Sequence, residues 1–263
     1  MSLIQQESTG EAPAGSHPRR RRPLKRALYE ILLVAVLFLA YKIGRVAADG
    51  HVGEALANAE HVWSLERALH LPSEYALQHL FVAHAWLIKA ANCYYAYVHF
   101  PATTAALIWL YARRPERYVP TRRLLAWLTA AALAVHLLFP LAPPRMLADV
   151  GMVDTGRLFG PAVYGSPSTD TLTNQYAAMP SLHVGWALAV AIALIGATTS
   201  RWRWLWLAHP ALTLLVVVVT GNHYWLDAIV VTALLGVVVA VLNYKTTAAK
   251  APAEIPKPRV GQV

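Results

Sequence analysis

Tyr224-Trp225-Leu226-Asp227-Ala228-Ile229-Val230-Val231-Thr232-Ala233-Leu234-Leu235-Gly236-Val237-Val238-Val239-Ala240-Val241-Leu242 is an apolar run of 19 residues with one carboxylate near its start. About 20 apolar residues span a bilayer core, so the run reads as a membrane helix. An ionisable group at its mouth is expensive and marks a functional place. His223 stands immediately before the run. His223 and Asp227 are four apart, on one helix face and one turn from each other. Working backwards, Pro180-Ser181-Leu182-His183 opens a second apolar run in the same way.

Composition agrees with a membrane setting. Hydrophobic residues make up 57% of the 263-residue chain and charged residues 14%, against about 25% charged in soluble domains. The runs are continuous rather than alternating, so the expected fold class is all-α: a polytopic membrane helix bundle with about six transmembrane helices. Expected spans cover 27–48, 91–111, 124–142, 179–197, 205–220 and 224–242. Residues 1–26 read as a disordered basic cytoplasmic arm. Residues 27–243 read as the membrane domain, with a catalytic core at about 130–240, and 244–263 as a cytoplasmic tail. Between the first two spans, Pro72 breaks the chain and Ser73-Glu74 reads as a helix start. The stretch 75–90 is expected to lie in the membrane interface as an amphipathic helix. Residues 143–178 read as a polar loop.

The net charge of +9 raises the question of nucleic acid. Its distribution answers that question. With the N-terminus inside and six spans threaded, cytoplasmic pieces hold seventeen basic residues and outer pieces hold Arg67, Lys89, Arg145 and Arg157. This is the positive-inside bias, so the expected partners are the bilayer and a membrane lipid substrate, without nucleic acid. Both termini are then cytoplasmic. Pro143-Pro144-Arg145, Pro180–His183 and His223–Asp227 share the extracytoplasmic end, and the plasma membrane is the expected location. Cys93 is the only cysteine, which excludes an intramolecular disulfide. No metal-ligand set is evident near these motifs, and no cofactor is called for.

Each residue has a plainer reading. A His–Asp pair at this spacing arises easily by chance, as His70 and Glu74 illustrate, and a buried structural pair is the alternative for His223. Arg145 alone reads as an interfacial arginine reaching headgroups. Taken together the motifs say more. A carboxylate that accepts the ring N–H fixes the tautomer and activates the other nitrogen. Ser181 caps a helix whose first turn offers unpaired N–H groups to an anion. His183 falls in that turn, and the Arg145 fork suits phosphate oxygens. Nucleophile, acid and anion clamp on one face describe phosphoryl transfer. Asn174 and Tyr176, just before the second motif, are candidate substrate-binding residues. Asn92, Tyr95 and His99 are weaker candidates for a headgroup pocket. His136 and His209, in mid-span, read as structural. His79, His84 and His99 show no spacing diagnostic of a metal site.

The chain resembles the phosphatidic acid phosphatase type 2 superfamily over about 130–240. Pro180–His183 matches its Pro-Ser-x-His motif, and His223–Asp227 matches its His-x-x-x-Asp motif. Arg145 corresponds to the first-motif arginine. The resemblance implies that His223 becomes a phosphohistidine, Asp227 orients it, His183 protonates the leaving oxygen, and Arg145 holds the phosphate. Two usual cations are missing: Leu138 stands for a lysine, and Val216-Val217 for Ser-Arg. Pro143-Pro144-Arg145, the 178–183 stretch and His223-Tyr224 resemble the inositol phosphorylceramide synthase branch, the aureobasidin A target in fungi. That branch implies an inositolphosphotransferase-like lipid enzyme. A lipid phosphate phosphatase of the same superfamily is the alternative, and a transporter with a His/Asp proton relay is the rival from another class.

Overall fold

The computed structural model describes residues 51–163, 165 and 175–248, with scattered helical positions between 28 and 39. The arm 1–26, most of the expected span 27–48, Asn174 and most of the tail 244–263 lie outside the described residues. The chain divides into two units, Met1–Val36 and Leu37–Val263. The first is described only at Leu28, Tyr29, Leu32, Ala35 and Val36, all helical.

The described residues are helical, with no strand among them and one isolated bridge between Leu141 and Ala177. In chain order the helices are α1 (Val52–Ala68), α2 (Glu74–Val82), α3 (Ala85–Tyr97), α4 (His99–Arg113), α5 (Pro115–Leu138), α6 (Thr155–Phe159), α7 (Leu182–Ala197), α8 (Ala208–Val219) and α9 (Trp225–Ala248). Short 3-10 turns stand at Pro144–Met146, Ala148–Val150 and Arg201–Leu207.

Two helical stretches are long and apolar enough to cross a membrane, Arg201–Val219 and Trp225–Tyr244; Leu182–Ala197 is apolar but shorter. The outside of the bundle is apolar as well. Trp127, Leu138, Ile192, Leu212, Ile229 and Val237 are all exposed, on a scale that water-facing monomers rarely show.

Several boundaries differ from expectation, each for a local reason. The stretch expected as one interfacial helix over 75–90 belongs to two helices. α2 starts where Ser73 accepts from the Ala76 N–H at 3.2 Å, and α3 starts after His84. One face of α2 is tied inward, where Gln78 donates to the Val219 carbonyl at 3.1 Å at the end of α8, while Tyr75 and Leu80 are exposed. The expected span 91–111 is broken at Val98 into α3 and α4. Pro101 lies in the first turn of α4, where its missing N–H costs nothing. The expected span 124–142 is α5, which begins earlier and ends at Leu138, two residues before Pro140. The 143–178 loop contains α6, capped where Asp154 accepts from the Arg157 N–H.

Helices α7 and α9 pack against α5 and each other, and one glycine permits the closest approach. A Cβ at Gly185 of α7 would stand 2.5 Å from Val231 of α9. α1 braces the return of the chain after α5. Asn58 donates to the Pro140 carbonyl at 2.9 Å, and the Ala142 N–H donates to the Ala55 carbonyl at 3.0 Å.

α1 also reaches the start of α9 through Glu66. This buried carboxyl accepts from the Leu226 N–H at 2.7 Å, taking up a first-turn donor that the helix cannot satisfy itself. Glu74, also buried, pairs with Arg67 at 2.7 Å. Burial and the neighbouring Glu74 carboxyl push Glu66 from the ordinary 4.5 up to about 9. It is therefore protonated at neutral pH. The folded state binds a proton that the unfolded chain releases above 4.5, so this stabilisation is full below 4.5 and is lost as pH rises through about 9. The thermal midpoint in detergent should fall between pH 5 and 9, and Glu66→Gln should flatten that fall. Glu66→Ala should cost about 1–3 kcal/mol by stranding the Leu226 donor. An unchanged pH slope in Glu66→Gln would show that the proton lies elsewhere.

Candidate functional site

Asp227 sits in the first turn of α9 with no solvent exposure. Its Oδ2 accepts from the Tyr224 N–H at 3.0 Å and lies 3.0 Å from His223 Nδ1. The same Nδ1 is 2.8 Å from the Ala178 carbonyl. Both neighbours are acceptors, so Nδ1 carries the proton and the lone pair of the neutral ring lies on Nε2. The expected i, i+4 relation is thus met, and the backbone carbonyl of Ala178, just before the second motif, adds to it.

Ser181 is the N-cap of α7, with its Oγ 3.5 Å from the Val184 N–H. Its own N–H donates to the Asp227 carbonyl at 3.3 Å, which joins the starts of α7 and α9. The His183 ring stands edge-on to His223 with centroids 5.7 Å apart, and lies 4.7 Å from Tyr95. His136 of α5 is structural, as expected: its Nε2 bonds the Pro180 carbonyl at 3.1 Å and so fixes the second motif from behind.

Arg145 arrives from the turn after α5. Its backbone N–H donates to the Gly221 carbonyl at 3.1 Å. Its guanidinium donates to Asn222 Oδ1, and Nε lies 3.6 Å from Asp154. Asn222 in turn donates to Thr220 Oγ1 at 2.8 Å. The His223 turn is held from below, because the Val217 carbonyl accepts the N–H groups of Asn222 and His223. Arg145, Ser181, His183, His223 and Asp227 therefore lie together. Tyr176 is half-buried against the cluster of Leu141, Ala142, Met179 and Tyr224. Asn92 and Tyr95 line a small cleft with Asp154 and Asn222. His79 stacks on Tyr75, His84 contacts the Leu80 carbonyl, and both are exposed, far in character from buried His99.

Leu138 points outward, 83% exposed, and Val216 and Val217 are buried in the apolar core. The side chains at the two positions of the missing cations thus bring no charge to the site. Asn222, Gln78, Asp154 and Glu66 were not singled out from the sequence. Asn222 had one available signal, its place beside His223. The others are brought in by tertiary packing alone.

A family model described as PAP2 superfamily matches residues 60–241. The match covers more than half of the chain, and the protein belongs to that superfamily. It begins well before the 130–240 core expected from the motifs, and takes in α2, α3 and α4 whole. No curated protein and no solved structure matches the chain. Membership supports a phosphatase- or phosphotransferase-type lipid enzyme.

The turn between α8 and α9 depends on Gly221, whose φ is +68°. A Cβ there would stand 3.1 Å from Arg145 Cβ and 3.2 Å from Gln78 Nε2. Gly221→Ala should cost about 1–2 kcal/mol from the left-handed backbone and displace Arg145. The expected result is a lower thermal midpoint together with a raised KM for a phosphate-ester donor. A variant unchanged in both would mean that this turn does not set the position of Arg145.

Proposed function

We propose that the protein is a six-span, metal- and cofactor-independent lipid phosphotransferase of the inositol phosphorylceramide synthase-like branch. It works through a phosphohistidine at the extracytoplasmic face of the plasma membrane, with both termini cytoplasmic. The observation that carries this reading is the locked tautomer of His223: Nδ1 is held between Ala178 and Asp227, and Nε2 is left as the nucleophile on a ring in contact with His183.

In the first half-reaction, His223 Nε2 attacks phosphorus and the bond from phosphorus to the leaving oxygen breaks. His183 gives that oxygen a proton, and Asp227 balances the charge that develops on the His223 ring. Arg145, Ser181 and the N–H groups at the start of α7 hold the non-bridging oxygens. In the second, an alcohol acceptor loses its proton to His183 and attacks the phosphohistidine. The acceptor gains the phospho-group and His223 returns to its starting state. Tyr176 and Asn174 are assigned to the substrate side. A groove of about 470 Å³ lined by Pro72, Val184, Leu188, Leu214, Trp225 and Ile229 runs along α7, α8 and α9. Its lining includes Val184 and Ala228, the chain neighbours of His183 and Asp227, and its apolar walls fit a lipid hydrocarbon chain.

His223→Ala and His183→Ala should each reduce turnover by about 10²-fold or more while the protein stays folded. Wild-type protein should carry an acid-labile, base-stable radiolabel from its donor, absent in His223→Ala. Substantial activity in either folded variant would sink the assignment.

The charge at the site favours a diester donor. Arg145 is shared with Asp154, and the positions of two usual cations are apolar. Charge-assisted contacts are worth about 1.5–3 kcal/mol each, so a dianionic monoester loses more than a monoanionic diester. Purified protein should consume a glycerophospholipid faster when a polyol or lipid alcohol is present, giving a new phosphodiester. Rapid release of inorganic phosphate from phosphatidic acid, with no acceptor ever phosphorylated, would establish the phosphatase reading instead.

A further inference from the structure

His99 is the first residue of α4 and is 1% exposed. Its ring lies 5.0 Å from that of His183 and stacks on that of His209 at 5.8 Å. Among the described residues neither of its ring nitrogens has a hydrogen-bond partner. The same holds for the hydroxyl of buried Thr103, one turn further along α4, and for His209 Nε2.

Two contrasts inside the molecule set this group apart. The buried helical threonines Thr129, Thr213 and Thr220 donate back to the carbonyl four residues earlier, as does Thr121. Thr103 does not, and its hydroxyl is left without a partner among the described residues. His136, equally deep, is satisfied by Pro180. His209 is satisfied on one side only, through Tyr94 at 2.7 Å, and Tyr94 reaches Thr213 at 3.1 Å. Unpaired buried polar atoms cost about 1–3 kcal/mol each, and lipid surroundings raise that cost. The two His99 nitrogens, the Thr103 hydroxyl one turn further along α4 and His209 Nε2 are four such atoms, with His99 in ring contact with both His183 and His209; each is a group that bridging water can satisfy, such water needing two to four polar partners.

We infer that His99, backed by Thr103 and His209, forms a water-bridged imidazole relay that positions His183 for proton transfer. This rests on the phosphohistidine reading. Protonated His183 gives one N–H to the departing oxygen. Its other N–H donates to bridging water, which donates to the lone pair of neutral His99. After departure His183 is neutral, and it regains its proton from the acceptor. His99 gains and loses no proton over the cycle. It orients the donor without touching substrate, and is a positioning residue.

A general acid matters for an alkoxide leaving group and matters little for a nitrophenolate, which departs as the anion. This difference separates positioning from mere support of the fold. The full chain in detergent should be labelled from a radiolabelled lipid donor with an alkyl leaving group, and from the nitrophenyl ester of the same phosphate. His99→Phe should slow labelling tenfold or more with the alkyl donor and less than twofold with the nitrophenyl ester, with KM for the lipid unchanged within twofold. His99→Gln, which keeps a hydrogen-bonding group, should recover part of the loss. If His99→Phe does not fold, near-isosteric Thr103→Val should show the same leaving-group dependence. Equal loss with both esters, or no loss with either, overturns the inference. Wild-type protein that takes no label from any phosphate ester overturns the phosphohistidine reading itself, a result distinct from a labelled enzyme indifferent to His99.

Discussion

The carboxylate of Asp227 is the contact on which the site depends. It is wholly buried, and one oxygen takes both the Tyr224 N–H and the His223 ring. The first bond satisfies the start of α9, and the second sets the tautomer of the imidazole just outside it. The backbone carbonyl of the same residue receives the Ser181 N–H, so the start of α7 is hung on the start of α9. A single residue thereby settles a helix terminus, a ring orientation and the register between two motifs 40 residues apart. Burying a carboxylate without such partners costs several kcal/mol, which ties the stability of this corner of the fold to the integrity of the site.

The rest of the bundle serves that corner from different directions. Glu66 reaches in from α1 to take the Leu226 N–H, and His136 reaches from α5 to hold the Pro180 carbonyl. Gln78 comes from α2 and binds the Val219 carbonyl below the His223 turn. Gly221, in a left-handed conformation, lets the Arg145 backbone pass close enough to donate to it. Each contact replaces water that an apolar environment cannot supply. Moving any one element shifts a polar group that the others depend on, and the site is pre-organised for this reason rather than by rigidity of the helices themselves.

What was legible in the sequence follows the range of the interactions. His223 and Asp227 meet through helix geometry alone, so their spacing disclosed the pair. Ser181 as a cap and Pro72-Ser73 as a helix boundary are also local. The meeting of Arg145, His183 and His223 could be read because their own helices place them at one end. The division of 91–111 at Val98 was legible only through Pro101, which suits the first turn of a helix; the run stays apolar across Val98, and periodicity does not distinguish one helix from two in line. The stretch 75–90 looked interfacial because it mixes histidines with apolar residues, yet Gln78 is drawn inward by two carbonyls distant in sequence. Asn222, Asp154 and Glu66 gain their roles only from partners that packing supplies.

Histidine carries most of the polar chemistry here, and its partners sort it by role. His136 has its hydrogen bond to Pro180 in an apolar setting, which is the signature of support. His223 has Nδ1 over-supplied with acceptors, the signature of a ring whose other nitrogen is reserved. His99 is as buried as either, and its ring nitrogens have no hydrogen-bond partner among the described residues. Burial alone does not separate these three, and neither does sequence position, since all fall in or beside apolar helices. The count of satisfied nitrogens does separate them. In a low-dielectric bundle an unpaired imidazole is costly and is kept only where packing elsewhere offsets it, and this one is kept in ring contact with His183.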